Sequence, residues 1–418
     1  MEIIYVGIDW GSRVHAVCVL GSQRERLLEQ EVEHEGTAVR KFVEQLVELV
    51  DGDVNRIVAG MEAPHGTMVE ALLDQGAQVF SISPRQLDRF RDRYSPAGAK
   101  DDALDAYVIA DTLVSDRKFY RRIKLPEPDL IRLRQLSRTY DSLTIQARAL
   151  GSQIVDQLNR YYPQLLRLSD RWHELAWLWA LFEAAPTPHQ AVSLHPAAVK
   201  KVLKNHHVRR YEPAEVLAAL RREPLHVAPG VAEAAAEHVE TLLPILRVVH
   251  QQRSACSQQM KRLLEQASRS GEDNPERPHR DAALLLSLPG MGIHNGAAML
   301  AEASTALQQR DYQSLRKLCG IAPVSERTGG RNKRPKVKIR RACSPRLREA
   351  TYHWARVATQ HDVRARAHYA TLRSKGHTHG RALRGVADRL LKLLISMLTS
   401  GQLYDPARRM APLTAISS

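Results

Sequence analysis

Cysteine is scarce in this chain. Its 418 residues contain four, Cys18, Cys256, Cys319 and Cys343, far apart and with no Cys-x-x-Cys pair, so neither a disulfide framework nor a zinc site is signalled. No run of about 18 apolar residues, the length at which a membrane span becomes plausible, occurs. The N-terminus opens directly on a strand pattern, without the basic and apolar regions of a secretory signal. These absences lead to the expectation of a cytoplasmic protein from a reducing compartment, with no membrane partner.

What is present is ordinary for a globular chain, at 44% hydrophobic and 26% charged residues. The length allows two or three domains of about 150 residues, each with a sizeable core. The charge is not ordinary: 61 Lys and Arg stand against 46 Asp and Glu, a formal +15. Such a balance points to a polyanionic partner, since basic faces release counterions from phosphate backbones; a merely soluble, charged surface is the competing reading.

The N-terminal segment Val6-Gly7-Ile8-Asp9-Trp10-Gly11-Ser12 is an apolar run of β-formers that ends in a carboxylate and then turns, which predicts Asp9 at the tip of a central strand. Arg56-Ile57-Val58-Ala59-Gly60-Met61 reads as a second buried strand delivering Glu62 just before Pro64. Lys100-Asp-Asp-Ala-Leu-Asp-Ala opens a helix on which Asp102 and Asp105, three apart, share a face. Four carboxylates brought together repel unless cations hold them, and two metal ions about 4 Å apart are the usual solution for phosphodiester chemistry. Each acid also has a bland reading: Asp101 and Asp102 as charges at a helix N-terminus, Asp9 as turn chemistry, Glu62 as surface.

Taken in order, residues 1–120 alternate strand and helix. Three strands, to about Glu33, precede a helix from Gly36 to Val50, the second buried strand, a helix from Thr67 to Gln75, a strand from Gln78 to Ser83 and an Arg-rich helix from Pro84. That order is the one found in ribonuclease H-like domains, where functional groups gather at the carboxyl ends of strands. Residues 121–270 turn helical. Apolar residues recur at helical spacing from Asp129 to Leu168 and again from Ala232 to Ala267, with Pro244 able to kink the second run. Two such helices predict an antiparallel coiled arm with an insertion between them. A polar, Pro-containing linker is expected from Ser268 to Pro278.

The C-terminal domain, residues 281–405, is predicted to be mainly α. Leu-Pro-Gly-Met-Gly at 288–292 lies between two helical patterns, the spacing of a helix-hairpin-helix. Gly290 and Gly292 would then open backbone N–H groups to a phosphate, an ordinary αα-hairpin being the plain alternative. Beyond it, Arg327, Arg331, Lys333, Arg334, Lys336, Lys338, Arg340 and Arg341 crowd a Gly-containing stretch that reads as a loop tracking a phosphate backbone, or as basic filler.

These motifs together resemble the DEDD transposases of IS110-like insertion sequences, over nearly the whole chain: GIDWGS, GMEAPHG and KDDALDA in the N-terminal part, LPGMG, CGIAPV, TGG and SPRLREATYHWA in the C-terminal part. The resemblance implies a DNA recombinase. Asp9, Glu62, Asp102 and Asp105 would be an acidic tetrad binding magnesium, two ions, in a RuvC-like domain. It implies a C-terminal nucleophile where family members carry serine; here the context reads Arg327-Thr328-Gly329. Threonine can serve as a nucleophile, although its extra methyl crowds in-line attack, and an inactivated copy is the alternative. The resemblance further implies DNA partners at the element ends and target, a non-coding guide RNA, and a homo-oligomer, dimer or tetramer. Rival readings are a junction-resolving or ribonuclease H-like nuclease with no use for Thr328, a catalytically dead nucleic-acid-binding relative, and an actin-like ATPase. The last is disfavoured because a basic C-terminal domain is present.

Overall fold

In a computed structural model of the chain, the residues described are 3–62, 66–94, 101–124, 127–273, 279–326 and 336–406. They form two compact units, Met1–Glu127 and Pro128–Ser418. Among the described residues no helix is long and apolar enough to cross a membrane.

The first unit runs β1 (Ile4–Asp9), β2 (Val14–Leu20), β3 (Arg26–Glu33), α1 (Gly36–Glu48), β4 (Ile57–Met61), α2 (Thr67–Asp74), β5 (Gln78–Ser81), α3 (Pro84–Arg91), α4 (Asp102–Asp116) and β6 (Arg121–Arg122). One six-stranded sheet has the order β3-β2-β1-β4-β5-β6. β2 lies antiparallel to β1 and β3, whereas β4 is parallel to both β1 and β5. This mixed sheet with flanking helices is consistent with the ribonuclease H-like class. The central strands are apolar throughout because both faces are covered: Ile4, Val6 and Ile8 pack in one cluster with Phe42 and Leu46 of α1, while Tyr5 and Val58 pack with Ile109 and Leu113 of α4. The sequence pattern missed β6, whose two residues are too few to carry a period of two; it pairs antiparallel with β5.

The second unit is helical. α5 (Pro128–Tyr161) and α11 (Val231–Asp273) are the two long helices expected. They run antiparallel, since Leu133 shares a core with Met260 and Leu264 near one end, and Ile154 and Leu158 share another with Val239 and Leu243 near the other. Between them come α6 (Pro163–Leu166), α7 (Ala176–Ala184), α8 (Pro188–Ser193), α9 (Pro196–Asn205) and α10 (Pro213–Leu220). Pro188 and Pro196 stand at helix N-termini, where the missing N–H costs nothing.

The linker expected from Ser268 begins too early: α11 continues through Ser268 to Asp273. Extending an existing helix needs no new nucleus, so polar residues follow the packed stem for several more positions. Pro244 lies inside α11 without interrupting it. The remainder is α12 (His279–Leu286), α13 (Ile293–Glu302), α14 (Ser304–Gln308), α15 (Tyr312–Leu318), a hairpin of β7 (Val324–Glu326) and β8 (Lys336–Lys338), then α16 (Pro345–His361), α17 (Val363–Ser374) and α18 (His379–Ser400). The stripe Leu383, Val386, Leu390, Leu394 and Met397 is core, as its spacing predicts. The hairpin was not anticipated, because two three-residue strands around a basic stretch give no alternation to read.

Candidate active site

The sheet register decides where the first two acids stand. Ile8 pairs with Met61 in the parallel β1–β4 ladder, so one further step sets Asp9 beside Glu62 at the carboxyl ends of neighbouring strands. Alternation sets the face. Tyr5 and Val58 point to the α4 side, and with a period of two Asp9 and Glu62 take that side as well. Both are half-buried.

Helix α4 lies on that face at unusually short range. A Cβ built on Gly7 would stand 1.9 Å from the Ala106 carbonyl oxygen and 2.5 Å from the Ala110 nitrogen, and one on Gly60 would meet Leu113 Cδ1 at 2.9 Å. Ala106, Ile109, Ala110 and Leu113 therefore form the stripe that rides the strands. Asp102 precedes Ala106 by four residues on the same stripe. Its neighbourhood is a cavity of about 490 Å3 that it lines together with Asp101, Glu29, Glu31 and Ala16. Since Ala16 is the register partner of Asp9, Asp102 comes to the end of the sheet that carries Asp9. Asp101 acts as the helix cap, its carboxylate accepting from Ala103 N–H at 3.0 Å.

Asp105 is 2% exposed, and Arg91 of α3 meets it with Nε 2.6 Å from a carboxylate oxygen. Arg91 also reaches Asp88 at 3.3 Å. Asp111, further along α4, is equally buried and is held by Arg24 and by the Tyr94 hydroxyl. The latter contact, after burial itself, pushes the Tyr94 phenol up to about 12. These partners were missed from sequence: α3 was recognised as Arg-rich, but nothing in the spacing said which arginine turns toward α4.

For a metal the donors are of the right kind. Carboxylate oxygens suit magnesium-class cations, and three of the four acids gather at one end of the sheet by register and helix stripe. Among the described residues, however, no group of three His, Cys, Asp or Glu side chains stands close enough to hold an ion. Arg91 supplies the counter-charge at Asp105. The residues thus fit a hard divalent cation in chemistry and in position along the sheet, with the side chains not drawn to a common point.

In the second unit, Arg327, Thr328, Arg331, Lys333 and Arg334 lie outside the described residues. Lys336 belongs to β8, and its side chain is likewise outside them. Lys338 and Arg341 are exposed, while Arg340 donates from Nε to the Ala322 carbonyl at 3.3 Å. Arg346, from the same basic stretch, is taken up by ion pairs with Glu302 and Asp141 and a hydrogen bond to Ser137. The two glycines of the Pro-Gly-Met-Gly turn differ. Gly290 has φ +76° and a built Cβ 2.6 Å from the Ala358 nitrogen, so packing on α16 demands glycine there. Gly292 is exposed, faces open space and forms the N-cap of α13 without a capping side chain.

Two family models match the chain: a DEDD transposase model of the IS110 type over residues 6–163, and a model for transposases of the IS116/IS110/IS902 family over residues 282–370. Together they cover more than half of it. Among curated proteins, the candidate transposase y4uE of Sinorhizobium fredii is 37% identical over 212 residues, 50% of this chain and 58% of that relative. The candidate mini-circle transposase for IS117 of Streptomyces coelicolor is 28% identical over 98% of this chain and 97% of its own length. The 42 kDa protein of insertion element IS900 of Mycobacterium paratuberculosis is 25% identical over 97% and 98% respectively.

Proposed function

This chain belongs to the IS110 family of transposases, and on that premise we propose that it cuts and rejoins DNA strands by phosphodiester transfer at an acidic site made of Asp9, Glu62, Asp102 and Asp105. Membership implies DNA binding and DNA transposition; the site residues and chemistry are our reading. The observation that carries it is the register step that sets Asp9 beside Glu62, under the helix that bears Asp102 and Asp105. Magnesium, two ions held by these four carboxylates, would supply Lewis-acid polarisation of the scissile phosphodiester.

The chain's own residues have distinct tasks. The Thr328 hydroxyl attacks the phosphorus, one P–O bond of the DNA breaks as the Thr–O–P bond forms, and the departing strand leaves as a free hydroxyl with the proton. A second strand's hydroxyl then reverses the step, releasing Thr328 without hydrolysis. Arg327, Arg331, Lys333, Arg334, Lys336, Lys338 and Arg341 offset the negative charge that builds on the phosphate, and the amides at Gly292 hold a neighbouring phosphate. A non-coding RNA pairing with both DNA partners, and a dimer or tetramer of the chain, complete the reading.

The test is direct. The full chain is incubated with element-end DNA, RNA transcribed from the element flank and magnesium, then resolved under denaturing conditions. A covalent protein–DNA adduct that maps to Thr328, is lost in Thr328→Ala and is lost in Asp102→Asn with DNA binding retained is the expected result. Nicked DNA without an adduct would make water the nucleophile and the protein a nuclease; DNA binding with neither product would make it an inactive relative.

A further inference from the structure

At the exit of the β7–β8 hairpin the second unit contains a cavity of about 350 Å3, bounded by α16 and α18, within the range of about 300–1,000 Å3 typical of small-ligand pockets. Its floor is apolar, from Ile321, Ile339, Leu383 and Ala387, and its polar wall carries Arg348, Arg384, Tyr352 and Glu349. Glu349 lies 3.6 Å from His353 on the next turn.

Several arginines of this unit already have partners. Arg138, Arg310, Arg316 and Arg346 each face a carboxylate, and Arg134 and Arg221 donate to backbone carbonyls. Arg384 is half-buried, yet among the described residues neither it nor Arg348 has a carboxylate within 4.0 Å or a hydrogen-bond acceptor. Burial and the nearby Arg381 both work against its charge. A guanidinium withdrawn from water without a partner is costly, and an anion in the cavity would remove that cost. Beside it, Tyr352 is 38% exposed, with its hydroxyl 3.4 Å from His379 Nε2. Two forked cations, an aromatic face and an apolar floor are together the recognition set for a phosphate joined to an unstacked base.

We propose that this cavity receives one unpaired nucleotide of the DNA strand undergoing transfer, with Arg348 and Arg384 on its phosphate and Tyr352 against its base. The proposal rests on the strand-transfer reading above. Duplex DNA cannot use the cavity, because a stacked and paired base has no free face to offer Tyr352.

The experiment uses the full chain and a single-stranded oligodeoxynucleotide of element-end sequence, labelled for anisotropy and carrying a photoreactive iodo-deoxyuridine for cross-linking. Expected results are a cross-link to Tyr352, about tenfold weaker binding in Arg384→Gln and in Tyr352→Ala, retained binding in Tyr352→Phe, and a salt slope lower by about 0.7 in Arg348→Gln/Arg384→Gln, which frees the one phosphate. Unchanged affinity and slope in Arg348→Gln/Arg384→Gln, with native circular dichroism, overturns the proposal. So does a cross-link confined to other residues, or Tyr352 labelling by the same sequence as RNA but not as DNA. A Thr328 adduct formed without any Tyr352 cross-link sinks the cavity proposal and spares the transfer chemistry. A Tyr352 cross-link with no adduct supports the cavity and counts against Thr328.

Discussion

Gly7 of β1 and Gly60 of β4 are register partners, and α4 lies across both of them. The missing side chains form a flat on which the helix backbone sits at Gly7 and the Leu113 and Ile109 side chains sit at Gly60, and this holds the Asp102 end of α4 beside the strand ends. Substitutions at the two positions should therefore differ. In Gly7→Ala the new carbon meets backbone atoms that cannot rotate away, at 1.9 and 2.5 Å, whereas in Gly60→Ala it meets the ends of Leu113 and Ile109. The expected loss is about 3 kcal/mol for Gly7→Ala and about 1 kcal/mol for Gly60→Ala, read from chemical unfolding followed by circular dichroism. Equal losses would mean that the helix is not seated on Gly7.

Arg91 and Asp105 make the second prediction. Asp105 is 2% exposed and the Arg91 side chain 17%, so removing the cation breaks an ion pair made largely out of contact with water. Arg91→Ala should lose about 3 kcal/mol. If Asp105 belongs to the proposed cation set, magnesium should restore part of that loss, raising the melting temperature more in Arg91→Ala than in the unsubstituted protein. A magnesium response of the same size in both would remove Asp105 from the set.

Glu302 carries a pH dependence. Burial alone would raise its carboxyl, but the two-pronged hydrogen bond from Arg138, at 2.9 and 3.2 Å, and the Arg346 charge outweigh burial and hold it below the ordinary value. A depressed folded pKa contributes stability that is complete above the unfolded value of about 4.3 and is lost as pH falls through the folded value. Glu302→Gln should therefore be clearly less stable than the parent at neutral pH, with the gap narrowing steadily below about pH 4.3. A gap independent of pH would show that shape, not charge, is what Glu302 contributes.

Trp10 offers a reporter. It follows Asp9 directly and is 47% exposed, while the other four tryptophans are at most 4% exposed. Its indole is flanked by His15 and His34 at centroid distances of 6.3 and 6.4 Å. Iodide should quench one emission component, absent in Trp10→Phe. Magnesium should shift that component in the parent and leave it unmoved in Asp9→Asn; a shift that persists in Asp9→Asn would place cation binding elsewhere.

Much of the architecture was legible from residues alone, and the reason is periodicity. The unbroken apolar runs of β1 and β4 announced buried strands, and the recurrences along α5 and α11 announced long packed helices; the strands and both helix starts lie close to their expected limits, whereas α5 stops at Tyr161, short of Leu168, and α11 runs past Ala267 to Asp273. Such signals are repeated many times along an element, so no single position has to be right. The strand-end positions of Asp9 and Glu62 were legible for a related reason, since a carboxylate at the end of an apolar run is conspicuous. What sequence could not say was which groups neutralise one another: Arg91 with Asp105, Arg24 with Asp111, and Arg346 with Glu302, against Arg384 left facing a cavity. Partnership of that kind is set by distance between elements far apart in the chain, and linear order holds no record of it. The strand ends and helix patterns were determined by the sequence itself; the register that brings Asp9 and Glu62 to neighbouring strand ends one step past the Ile8–Met61 pair, the glycine seat beneath α4 and the turning of Arg384 into its cavity arose only once tertiary packing fixed which faces meet.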